Sequence, residues 1–283
     1  MDVVHSRRAS TSEAYLGIAS LVVFVALSAV AATVEPAPKL LVIGWVAFGA
    51  MAGGALFGLR TTEEHPQGMV WGYGLAAGAM ITSAALFLVP QATANDPRYG
   101  GLGIAIGILV GFAGHTIGHR LTHLDLPMDH TVAELSAHAL SAGAIIGVVY
   151  AAMPDLGALL GLAIVSHKGP AGYAAARRLV RSERSVLPIL LPAAGVGVAA
   201  LAVSMIGGPT DASVQAVVFG FAAGIFLHVA MDFLPRCETG SEVHQHVVHQ
   251  HDADHALLDR LRVHAVVSTG IGATLVYLAW LAV

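Results

Sequence analysis

This sequence predicts an all-α, polytopic membrane helix bundle, and three observations predict it. Of its 283 residues 56% are hydrophobic and only 11% are charged, against about 25% charged in an ordinary soluble domain. Its mean hydropathy is +0.73. Its apolar runs recur at roughly the 20 residues that a bilayer-crossing helix needs. Most links between the runs are short and rich in Pro, Gly or Asp, as in VEPAPK, QATANDPR, MPD and GGPTD.

Nine stretches reach that length, at 14–34, 40–59, 69–90, 100–121, 131–153, 156–179, 186–207, 212–235 and 262–282. They predict a single transmembrane domain over 1–283. No short apolar run with a small-residue cleavage site follows MDVVHSRRAS, so 14–34 reads as a retained helix and not a cleaved signal. The lone Cys237 permits no internal disulfide. Positive charge sets orientation. With alternating sides, Arg7, Arg8, Arg60, Arg120, Arg177, Arg178, Arg181, Arg184, Arg236, Arg260 and Arg262 share one side, and only Lys39 and Arg98 face the other. The expected N-terminus is therefore cytoplasmic and Val283 external, in the cell membrane.

Glycine, alanine and serine abound throughout. In membranes such residues let helix backbones approach closely, which accounts for most of the 32 glycines without a functional claim. The third and eighth stretches resemble each other: GLAAGAMITSAALFLVP (Gly74 to Pro90) parallels GFAAGIFLHVAMDFLP (Gly220 to Pro235), one residue shorter. On alternating sides they run in opposite directions, as inverted-repeat transporters require.

The polar groups at membrane depth carry the functional reading, because an ionisable side chain there costs about 2.5–3.5 kcal/mol even on the lenient insertion scale. His130, Glu134 and His138 recur every four residues on the fifth stretch, which puts them on one helical stripe. Imidazole suits zinc and its neighbours, and a carboxylate adds compensating charge. A bland alternative is a wet helix end with His138 bonded to a neighbouring carbonyl. The sixth stretch carries His167-Lys168-Gly169-Pro170-Ala171-Gly172. Pro170 predicts a kink or opening there, which at this depth is tolerated only beside protein or a water-filled cavity.

Three further groups are candidates for looser metal contact. His115, His119 and His123 form HxxxHxxxH at the end of the fourth stretch. The polar link 236–261 contains HQHVVHQHDADH, with His244, His246, His249, His251 and His255, a composition that binds divalent metals loosely. His228 and Asp232 lie one turn apart on the eighth stretch, as a structural pair or a proton path. HExxH and GxxxxGK[ST] are both missing, which disfavours a zinc protease and an ATPase. Basic aromatic patches for nucleic acid are also missing.

Four of these segments together resemble the ZIP family of zinc and iron transporters. SAHALSAG resembles the family's HNxPEG-type motif, with His138 as its histidine and Gly143 as its glycine. HKGPAG, His167 to Gly172, resembles the second histidine motif. AGIFLHVAMDFLP resembles the penultimate helix, and GAMITSAALFLVPQA the helix ending in LLPEA, with Met80 at a place where some members turn a side chain to the metal. The chain departs from the family at Ala139 and Ala142, in the asparagine and glutamate places, at Ala171 for glutamate, and at Gln91 after the proline. Lys168 stands where the family often has an acceptor for a second metal, so a fixed cation paired with Glu134 or Asp232 would leave room for at most one ion.

The resemblance implies transport of a divalent metal ion, zinc first, towards the cytoplasm. His138 and His167 would hold the ion, Glu134 and His130 would lead to the exit, and the histidine tracts would receive it. The metal is then cargo, no cofactor is implied, the protein is not an enzyme, and its partners are the ion and the lipid bilayer, with a homodimer left open. The alternatives are a ZIP-fold sensor or scaffold that does not transport, favoured by the missing carboxylates, and a histidine-box membrane enzyme.

Overall fold

The computed structural model describes residues 2–34, 38–61, 66–121, 128–152, 161, 167–207, 209–238 and 255–281. Among these residues every regular element is helical. Eight helical stretches are long and apolar enough to cross a membrane: Ser12–Thr33, Pro38–Arg60, Val70–Asn95, Pro97–Gly114, Thr131–Ala152, Leu187–Ile206, Ala212–Met231 and Asp259–Leu281. They answer to eight of the nine expected spans. Part of the remaining one, 156–160 and 162–166, lies outside the described residues, and its second half is the helix Lys168–Arg181.

The helices are α1 (Asp2–Val34), α2 (Pro38–Arg60), α3 (Pro66–Ser83), α4 (Val89–Asn95), α5 (Pro97–Leu121), α6 (His130–Ala152), α7 (Lys168–Arg181), α8 (Leu190–Ile206), α9 (Ala212–Glu238) and α10 (His255–Leu281). They gather into two compact units. One comprises Met1–Thr61 and Ala113–Asp211, the other Thr62–Phe112 and Ala212–Val283.

In the first unit, small residues let the helices approach closely. A Cβ built on Gly147 of α6 would lie 2.6 Å from the Ala200 carbonyl oxygen of α8, and one on Gly143 would lie 2.9 Å from Ala199 Cβ. Contacts that advance together along both helices mean that α6 and α8 run parallel. The same holds for α2 and α7, where Gly54 meets Gly169 and Gly58 meets Tyr173 and Ala176. It holds again for α1 on α8: Gly17 meets Leu190, and the Phe24 ring fills the hollow left by Gly44 and Gly197. A core of Met51, Ala55, Val132, Ala175, Ala176, Leu179, Ile189 and Ala193 ties α2, α6, α7 and α8 together.

The start of α6 is pinned separately. Asp129 caps the helix by accepting the Thr131 amide at 2.9 Å. Its other oxygen accepts from Arg184 at 2.6 Å. Arg184 reaches it from the turn that ends α7, where its amide returns to the Leu179 carbonyl and that of Glu183 to Val180. Glu183 takes φ +53° there, a position that glycine usually fills. Burial alone would raise the Asp129 carboxyl, but the Arg184 and Thr131 hydrogen bonds outweigh it and hold the group below its usual 3.8.

Sequence reasoning expected a kink or opening at Pro170. In the structure α7 begins at Lys168. Pro170 therefore sits in the first turn, where its missing N–H breaks no ladder bond. His167 is the N-cap residue before that turn.

The second unit repeats the close-packing device. Gly74 and Gly78 of α3 meet Ser268 and Thr269 of α10, and Gly103, Gly107 and Gly111 of α5 meet Val217, Phe221 and His228 of α9. Trp71 Nε1 donates to His264 Nδ1 at 3.2 Å. Helices α3 and α9, which carry the two similar segments, run antiparallel: Tyr73 near the start of α3 stacks against Phe233 near the end of α9. Their one-residue difference in length has a structural counterpart. The helix of the longer copy widens into a π turn over Ala84–Leu88, where the Val89 amide reaches back to Ala84. A single inserted residue is absorbed this way inside a continuous helix.

Two outcomes are expected. Gly147→Ala forces a methyl into the Ala200 carbonyl and lowers stability by about 1–3 kcal/mol; an unchanged melting temperature of the purified protein would contradict the packing. The folded-state depression at Asp129 stabilises the protein above the unfolded carboxylate value, and that contribution fades as pH falls through the lower folded value. Arg184→Met therefore loses about 0.5–1 kcal/mol at neutral pH and flattens the acid side of the stability profile below pH 4. Parallel acid profiles for the two proteins would count against the pair.

Candidate functional site

His138 and His167 meet in the first unit, as expected. Their Nε2 atoms are 3.1 Å apart. The ring centroids are 5.3 Å apart with an interplanar angle of 65°, an edge-on arrangement. His167 is 2% exposed and His138 is half-buried. Each ring arrives on a separate helix pair. Helix α6 brings His138, held by Gly143 and Gly147 against α8. Helix α7 begins directly after His167 and is held by Gly169 and Gly172 against α2.

At 3.1 Å two neutral imidazoles form a hydrogen bond only in different tautomers, one carrying its hydrogen on Nε2 and the other offering its Nε2 lone pair. The same geometry is close to that of a shared ligand pair. Two nitrogens each about 2.0–2.1 Å from a tetrahedral zinc ion stand about 3.3–3.4 Å apart. Opening the pair by a few tenths of an ångström, and moving the bridging hydrogen to Nδ1, would let both Nε2 lone pairs face one cation.

Of the rest of the expected stripe, Glu134 does not join them. Glu134 is exposed. A four-residue step turns about 400° around an α-helix, so each member of the stripe lies about 40° further round. Glu134 also does not pair with Lys168: that residue is 1% exposed and its Nζ has no hydrogen-bond partner. Among the described residues no group of three or more His, Cys, Asp or Glu side chains could hold a metal ion. The places where the resemblance expects asparagine and glutamate are used for packing. Ala139 is fully buried and Ala142 nearly so, and a Cβ on Gly195 of α8 would touch Ala139.

The other candidates are placed only in part. His130 is the first residue of α6, His115 and His119 lie on the last turns of α5, and His255 begins α10. Their side chains lie outside the described residues, as do His123, His244, His246, His249 and His251. His228 is half-buried and lies across Gly111, while the Asp232 side chain lies outside the described residues. Met80 is 1% exposed within the second unit. What sequence reasoning missed is that Lys168 has no partner. The signal was there, a lysine in an apolar stretch with no acid one turn away on either side.

No protein-family model matches this chain, and no curated protein sequence matches it.

The unlike tautomers can be observed. With ¹⁵N-labelled histidine in the metal-free protein, one of the two rings should show a protonated Nε2 and the other a bare Nε2. Zinc should convert both to the ligated form. Two rings of the same tautomer before zinc would rule out the direct hydrogen bond.

Proposed function

We propose that this protein moves a divalent metal ion, zinc first, across the cell membrane, and that His138 and His167 hold the ion in transit. The observation that carries this reading is the 3.1 Å approach of two Nε2 atoms from separate helices inside apolar sequence. Two facing imidazoles offer a borderline-soft cation two strong ligands. A site of only two protein ligands releases its ion more readily than a closed four-ligand site, which suits passage and not storage.

The proposed architecture is a ZIP-like bundle of nine spans with an inverted repeat. The parallel run of α6 and α8 supports the ninth span, since a chain that leaves one helix and enters the next in the same direction has crossed back between them. The segment 153–187, with α7 at its end, would make that crossing. The antiparallel α3 and α9, and the π turn that absorbs their one-residue difference, support the repeat. One-sided arginine places the N-terminus in the cytoplasm and the C-terminus outside. In this scheme His130, Glu134 and the histidine tracts lie on the cytoplasmic route.

A second reading, a ZIP-like protein that does not transport, is favoured by Ala139 and Ala142, which are committed to helix packing. Zinc uptake into proteoliposomes separates the two. Transport predicts uptake by the wild type. It also predicts that His138→Ala and His167→Ala each weaken it at least about tenfold, the lower end of what even an outer-shell partner of a metal ligand costs. Wild-type liposomes that take up no more zinc than empty ones would refute transport.

A further inference from the structure

The site described above has a charge problem. A divalent cation between His138 and His167 would meet two neutral rings and no carboxylate of the described residues. The next residue along the chain, Lys168, brings an ammonium. Among the described residues its side chain is one of the largest fully buried, and its Nζ finds no hydrogen-bond partner. It directly follows His167, whose Nε2 lies 3.1 Å from that of His138. A buried charge left unpaired is costly by several kcal/mol. The backbone adds to the same sign. Helix α7 is 14 residues long and starts at Lys168, with His167 as an N-cap that gives no side-chain bond. Its positive dipole end and first amides therefore lie at the same place.

We propose that Lys168 Nζ and the N-terminus of α7 form a binding site for a small monovalent anion of the halide class, beside the histidine pair. The inference rests on the metal-transport reading for its purpose and not for its chemistry. The anion satisfies the orphaned ammonium and completes the ligand set that two imidazoles leave open. It also brings the negative charge that a carboxylate would otherwise supply. Glu134 does not serve, because it is exposed. Glu13 does not, because it is buried beside Asp129 and Arg184 at the start of α6.

Two measurements on the full chain in lipid nanodiscs test this. Zinc binding is titrated in potassium chloride and in potassium methanesulfonate at equal ionic strength and pH. Linkage between the two ions predicts tighter zinc binding in chloride, within the about 5–150-fold usual for coupled sites. Lys168→Met should bind zinc with the same affinity in both salts, and its melting temperature shows that it is folded. Separately, crystals of the wild type grown in bromide should show an anomalous peak in contact with Lys168 Nζ that is missing from Lys168→Met. Wild-type zinc affinity indifferent to the salt, or no bromide peak at Nζ, overturns the proposal. If zinc binds in neither salt, the reading of the histidine pair fails, and the bromide peak still decides the anion site by itself.

Discussion

Close backbone approach of parallel helices, made possible where side chains are reduced to hydrogen or methyl, is the constraint on which the first unit depends. Gly143 and Gly147 set α6 on α8, while Gly54, Gly169 and Gly172 set α2 against α7. Membrane helices gain no hydrophobic energy from one another, so van der Waals contact at short range has to hold them. Two such pairs share a core through Met51, Val132, Leu179 and Ala193. The His138 and His167 rings hang from different pairs, and their 3.1 Å separation is fixed by both. A methyl added at Gly54, Gly143, Gly147 or Gly172 therefore acts on the site without touching it.

The same packing explains what the site lacks. Ala139 lies against Gly195 of α8 and Ala142 is buried, so neither position carries an amide or a carboxylate. The site has two imidazoles and, among the described residues, no carboxylate beside them. Lys168 makes the imbalance larger, since an ammonium without a partner is among the most expensive groups to bury. A protein that retains such a group has either a use for its charge or a ligand that answers it.

The second unit shows the same device in a different setting. Glycine stripes at four-residue spacing seat α5 on α9, and the π turn in the chain from α3 to α4 lets one extra residue pass without breaking the helix. That turn is the physical form of the length difference between the two similar segments.

Composition alone determined the class of this protein. Twenty-residue apolar runs have one stable arrangement in a bilayer, because every backbone polar group must be satisfied within its own helix. The positions of the helices followed, and so did the two histidines that meet, since ionisable residues in such runs stand out by their cost. Sequence spacing could not fix which members of a stripe converge. His138 reaches His167 while Glu134 faces outward, because a four-residue step overshoots a full turn and only the packing of α6 on α8 decides which edge of the stripe points inward. Nor could it place the start of α7 at Lys168, which puts Pro170 in the first turn, or show that no other helix among the described residues brings Lys168 a partner. Each of these depends on what another helix brings to the same spot, and that is decided by tertiary contact and not by the local chain.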